Sequence, residues 1–115
     1  MIVSHLDNLM PVVMTGDAVN AASMKKLVGA EEGWDSHVMR VVELGEDGFS
    51  PKHTHPWPHI NYIIEGEGVL FLNGKENPIK AGSFAYVPSD ELHQFRNTGT
   101  RPLKFICIVP TEGHA

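Results

Sequence analysis

The chain has little with which to hold a nucleic acid. Its Lys and Arg number 9 against 14 Asp and Glu, a formal charge of −5, and phosphate backbones are held by cationic faces. The same deficit works against binding an anionic membrane surface. Long apolar runs are missing too. Phe105-Ile106-Cys107-Ile108-Val109 is a representative stretch, far short of the roughly 20 apolar residues that a membrane-spanning helix needs. A single cysteine, Cys107, leaves no internal disulfide and points to reducing surroundings. The start, Met1-Ile2-Val3-Ser4-His5-Leu6-Asp7, lacks the basic region and apolar core of an export signal. These absences together lead us to expect a cytoplasmic protein that binds neither nucleic acid nor membrane. At 115 residues a single domain, 1–115, is expected, because two cores of ordinary size need more chain.

Turn-forming residues, by contrast, are plentiful. Gly (11) and Pro (8) recur at fairly even spacing, which suits many short strands joined by turns. The Val-rich stretch Ser36 to Leu44 reads as a strand that stops at the cluster Gly45-Glu46-Asp47-Gly48. His59 to Glu65 reads as a second strand, with Ile60, Tyr62 and Ile64 on one face and His59, Asn61 and Ile63 on the other. Val69 to Leu72 leads into Asn73-Gly74, a strong hairpin signal because both turn positions need positive φ. Phe84 to Val87, His93 to Arg96 and Leu103 to Val109 complete the set. Between Asp17 and Ala30, residues such as Ala18, Ala21, Ala22 and Leu27 favour helix. Yet there is no apolar stripe at helical spacing, and a strand through Met24 to Val28 fits equally well. Strands and turns at this density mean a sandwich or a barrel.

Chemistry is concentrated in the histidines. Of seven, four form a pattern: His53, His55, His59 and His93. Two residues apart on an extended chain, His53 and His55 share a face. Pro56 and Pro58 exclude a helix and bend the chain before His59. If the sheet closes on itself, His93 on a later strand joins them inside. Neutral imidazole is the commonest protein metal ligand, and four buried rings facing one another are costly without a cation between them. A lone histidine is ordinarily solvated or hydrogen-bonded, and that reading stands for His5, His37 and His114. We expect His114 to lie in a loose tail.

These residues resemble the two motifs of the cupin family. The first, G-x5-H-x-H-x3–4-E-x6-G, is followed from Gly48 through His53, His55 and His59 to Gly66, over about 48–68. It departs by one residue fewer after Gly48, and by His59 standing where the family has glutamate. The second, G-x5-P-x-G-x2-H-x3-N, is matched by Gly82, Pro88, His93 and Asn97, over about 82–97, with Asp90 in place of the middle glycine. The His55-Pro56-Trp57-x-His59 run, Phe95-Arg96-Asn97 and the Cys107 to Pro110 ending are similar to the small single-domain bacterial cupins that hold manganese with four histidines. The resemblance implies an all-β double-stranded β-helix, a jelly-roll barrel, commonly a homodimer through exchanged N-terminal strands. It thereby favours strand over Met24 to Val28.

Histidine in place of glutamate removes a negative charge from the metal's surroundings. The site should then be a stronger Lewis acid that favours an anion or a bidentate oxygen ligand. Four ligands leave two positions on an ion that prefers six. The resemblance puts Mn first and Fe second, while imidazole donors also suit Ni, Zn or Cu. For the substrate pocket the candidates are Arg40, Asn61, Phe95, Phe105 and Cys107. On the last strand either Phe105, Cys107 and Val109 or Ile106 and Ile108 point inward, and the resemblance favours the Cys107 face. The leading expectation is a non-haem metalloenzyme with oxygenase-type activity, an oxidoreductase such as a dioxygenase, on a small organic substrate. The alternatives are a redox-neutral Lewis-acid isomerase or lyase, or a non-enzymatic metal-dependent binder of a small ligand. No catalytic residue beyond the metal ligands is assigned.

Overall fold

Strand follows strand along the computed structural model, which describes residues 1–114. The strands are β1 (Val12–Val13), β2 (Asn20–Val28), β3 (His37–Phe49), β4 (His59–Glu65), β5 (Glu67–Leu72), β6 (Lys75–Lys80), β7 (Phe84–Val87), β8 (His93–Asn97) and β9 (Leu103–Pro110). Helical structure among the described residues is confined to short 3-10 turns at Leu6–Asn8, Ala30–Glu32 and Thr111–His114. All pairings are antiparallel, and the sheet runs β6-β5-β8-β3-β9-β4-β7, with β2 against β3 and β1 against β2. This is a single-domain all-β barrel.

Most strands fall where alternation and turn residues put them. Asn73 and Gly74 take φ of 56° and 74°, as the tight β5–β6 hairpin requires. The open stretch between Asp17 and Ala30 is strand β2 over Asn20–Val28: pairing with β3 from Asn20 to Val28 outweighs the helix propensity of its alanines. Two expectations need correcting. Strand β3 does not stop at Gly45 but continues to Phe49. The Gly-Glu-Asp-Gly cluster is absorbed as a bulge: the register with β2 jumps between Ala22↔Leu44 and Asn20↔Phe49. Asp47 sits at φ 61° there, and its carbonyl accepts from Asn20 Nδ2 at 3.0 Å. A bulge bends a strand, and beyond it β3 meets β8 at Phe49↔Arg96. The second is β6, which carries Pro78 and is absent from the strands read from the sequence. It is a terminal strand of the sheet, the place where a missing N–H is tolerated.

Register stacks the inward side chains into layers. Across β3, β9 and β4, Arg40 lies beside Cys107 and Cys107 beside Asn61. One layer deeper come Val42, Phe105 and Ile63, and deeper again Leu44 beside Leu103. Leu44, Leu103 and Val87 are wholly buried. Phe95 stacks on Phe105 with ring centroids 4.1 Å apart, closing the floor of the upper layer. Each such buried side chain contributes roughly 1.5–3 kcal/mol through burial. At Gly68 on β5 the Arg96 carbonyl and Leu103 come so close that no Cβ fits, which locks the deep end shut.

Candidate metal centre

The four motif histidines come together at the upper layer. His59 opens β4 and His93 opens β8. His53 reaches the cluster through a backbone bridge to His93, with N–H to carbonyl distances of 3.2 and 3.1 Å. Asp90 N–H donates to the His55 carbonyl at 2.8 Å, so the second motif's turn is tied to the first. Asp90 takes φ 64°, the left-handed geometry that the family's glycine supplies and Asp tolerates. The ring centroids of His55 and His93 are 4.7 Å apart, and each of these two lies 5.0–5.3 Å from both His53 and His59. Ligand atoms of His53, His55 and His93 lie within 4.8 Å of one another. His59 joins through His93, with Nε2 to Nε2 at 3.2 Å.

Hydrogen bonds fix which nitrogen carries the proton in three of the four rings. His55 Nδ1 donates to the Trp57 carbonyl at 2.7 Å, and His93 Nδ1 to the Glu91 carbonyl at 2.8 Å. His59 Nδ1 faces Asn61 Oδ1 at 2.7 Å. Asn61 Nδ2 in turn donates to the Ile106 carbonyl at 3.3 Å, so the amide presents its oxygen to the ring and His59 Nδ1 is the donor. With Nδ1–H spent in this way, the Nε2 of His55, His59 and His93 is left with a lone pair. The close approach of His59 and His93 therefore sets two lone pairs face to face. A proton is a poor bridge: burial pushes His59 down to about 4, against the raising effect of its bond to Asn61. Burial likewise lowers His53 and His93. A divalent cation satisfies such a donor set, and the residues fit one.

The cluster lines a cavity of about 350 Å³ whose walls include Arg40, Asn61, Phe95, Phe105 and Cys107. All five pocket candidates from the sequence thus border the same space as the histidines. Of the two faces open on β9, Phe105, Cys107 and Val109 are buried inside, while Ile106 and Ile108 lie on the outside and are only half-buried. Cys107 is a free, buried thiol. Trp57 lies parallel to the His55 ring at 5.2 Å and packs near Val38, Cys107 and Val109. No Asp or Glu side chain among the described residues lines the cavity, and Glu65 instead pairs with Lys104 at 3.5 Å.

Sequence reading missed one residue of the site. His114 is not in a loose tail: the turn Thr111–His114 folds over the mouth and puts His114 on the cavity wall. There its Nδ1 lies 3.2 Å from Arg40 Nη1. The turn is held by the Thr111 hydroxyl donating to the Asp35 carbonyl at 2.6 Å, and at Gly113 a Cβ would strike the Trp57 ring. No motif or periodicity in the sequence marks this seat, which the last turn's packing against Trp57 creates.

Residues 40–109 match the family model of the cupin domain, which is more than half of the chain, and the chain belongs to that family. Among curated proteins, an oxalate-binding protein of Thermotoga maritima is 46% identical over 50 residues, 44% of this chain and 41% of that protein. The chain spans about half the length of the curated relatives it matches. Among solved structures, a predicted oxalate decarboxylase of Thermotoga maritima is 27% identical with a TM-score of 0.86, covering 95% of this chain and 98% of that one. The polyketide cyclase RemF of Streptomyces resistomycificus superposes with a TM-score of 0.88 at 24% identity, over 96% of this chain and 79% of that one, a likeness of fold alone.

Proposed function

We propose that His53, His55, His59 and His93 hold one divalent cation, manganese first and iron second, and that the protein binds and acts on a small carboxylate ligand there. The observation that carries this is the 3.2 Å approach of two imidazole nitrogens whose other nitrogens are already spent as donors. Such a cation, when bound by neutral ligands, supplies Lewis acidity toward oxygen. The chain's own groups do the rest. Asn61 and the carbonyls of Trp57 and Glu91 hold three rings with Nε2 inward. Phe95 and Phe105 close the floor against water. The oxalate in the names of a curated relative and of a solved structure, both from Thermotoga maritima, supports a carboxylate ligand. Those names favour redox-neutral binding or lyase chemistry over the oxygenase-type activity that led from the sequence. Elemental analysis of the purified protein, with oxygen uptake measured during incubation with oxalate, tests both halves. About one metal per chain and no oxygen uptake is the expected result. A metal-free protein removes the first half, and substrate-dependent oxygen uptake restores the oxygenase reading.

A second copy of this chain is, on the same reading, the partner. Outward from β4 and β7 stand Ile60, Tyr62, Phe84 and Tyr86, of which Phe84 is 82% exposed. Each copy also carries an apolar N-terminal segment that its own barrel leaves uncovered, with Met10, Val12 and Val13 each more than 60% exposed. Contiguous apolar surface of this kind marks an interface. Sedimentation velocity should show a dimer that Tyr86→Lys turns into monomer, and a wild-type monomer at all concentrations contradicts it. The acidic charge and the buried free thiol suit a cytoplasmic home.

A further inference from the structure

Arg40 is a cation in the cavity wall without an anion among the described residues. It stands on β3 directly beside Cys107 of β9, two strands from Asn61, so its backbone is roughly 9–10 Å from that of the residue orienting His59. Its Nε is buried and has no hydrogen-bond partner. No carboxylate among the described residues pairs with its guanidinium. Among the described residues the one side-chain hydrogen bond it makes is to His114 Nδ1, which accepts and so belongs to a neutral ring; burial and the Arg40 charge lower that ring's pKa. A planar fork of five donors is built for a carboxylate, and a half-buried guanidinium with a buried, unpartnered Nε is costly to keep. A chain with 14 Asp and Glu puts none of them in this cavity.

We propose that Arg40 is the specificity-determining residue of the cavity, that it takes the second carboxylate of a two-ended anionic ligand, and that this carboxylate replaces His114. The inference rests on the metal-centre reading above. One end of the ligand lies at the four histidines and the other on the Arg40 fork. With His114 displaced, the Thr111–His114 turn loses its seat and shifts against Trp57. Ligand choice and the release of the turn over the mouth are then one event. Proton and electron counts do not enter, because only a hydrogen-bond acceptor is exchanged.

The test is calorimetric titration of metal-loaded protein with acetate and with the series oxalate, malonate and succinate. At least one dicarboxylate should bind about 10- to 100-fold tighter than acetate, the range of a charge-assisted hydrogen-bonded pair. In Arg40→Gln that ratio should collapse toward one, and Arg40→Lys, which keeps the charge but loses the fork, should recover only part of it. His114→Ala should tighten the preferred dicarboxylate severalfold, and acetate far less, because a competitor is gone. In a Trp34→Phe background the dicarboxylate should change Trp57 emission and acetate should not. A wild-type ratio near one, or one unchanged in Arg40→Gln and Arg40→Lys, overturns the role of Arg40. An unaltered affinity in His114→Ala overturns the exchange. Metal content is measured on every sample: a protein that takes up no metal fails at the earlier step and takes this proposal with it, whereas full metal content with an unchanged ratio removes Arg40 alone.

Discussion

Two polar residues, the buried Asn97 at the deep end of the barrel and the half-buried Arg40 at its mouth, stand in opposite circumstances. Asn97 Nδ2 donates to the carbonyls of Leu44, Gly45 and Arg101 at 3.0, 2.9 and 2.8 Å, and its Oδ1 accepts from Gly99 N–H at 2.9 Å. Every polar atom of that side chain is used inside the protein. Arg40 has a buried Nε with no partner and one neutral neighbour. The histidine nitrogens above it face one another rather than an acceptor. Buried polar groups are nearly always satisfied, so a cluster of them left open within one cavity is where the proposed metal and ligand would bind. The deep end builds the fold, and the mouth holds its polar groups in reserve for a ligand.

The comparison breaks most visibly at the deep end. Asn97→Ala should cost about 4 kcal/mol in denaturant unfolding, because three carbonyls and an N–H lose their partner at once, while metal content per folded chain stays the same. A loss below about 1 kcal/mol would mean that water replaces the amide and that the deep end is not closed. At the mouth the largest effect is on pH. His59 is lowered from 6.5 to about 4 by burial first. Between those values the unfolded chain holds a proton that the native ring refuses, so the native state loses stability as pH falls from 6.5 toward 4. Chelator-treated protein should lose about 3 kcal/mol over that window, with His53 and His93 acting in the same direction. Unfolding curves at stepped pH check the sign, and a rise in stability over the window would contradict the buried neutral rings.

Smaller effects sharpen the contrast. Asn61→Ala frees the His59 ring and should weaken metal binding about 10- to 100-fold, read by competition with a chelating dye. Arg40→Gln should cost less than about 1 kcal/mol of stability or even add some, since a charge without an anion contributes little to the fold. A loss as large as that of Asn97→Ala would place Arg40 with the structural residues.

Much of this contrast was legible in the sequence, for identifiable reasons. His53, His55 and His59 are close in sequence, and strand parity alone puts Asn61 with His59 and Phe95 with His93. The inward face of β9 was open until the register Arg40↔Cys107 and Asn61↔Cys107 closed it, because alternation gives two faces and does not say which is inside. The bulge at Asp47 was read as a turn, since a glycine-rich cluster looks the same whether a strand ends or bends. His114 was unreadable: 74 residues separate it from Arg40, and only the folding of the last turn over the mouth brings them together. Long-range register and terminal segments are set by tertiary packing, which leaves no periodic mark on the chain.

The most direct test of the account is the metal stoichiometry and ligand count of the purified protein, by elemental analysis with metal-edge absorption spectroscopy, in wild type and in His93→Ala. The account predicts about one divalent ion per chain, surrounded by imidazole nitrogens, and its loss in His93→Ala. Wild-type protein that neither carries nor takes up an ion, or a His93→Ala variant that keeps it with the same nitrogen shell, would contradict it.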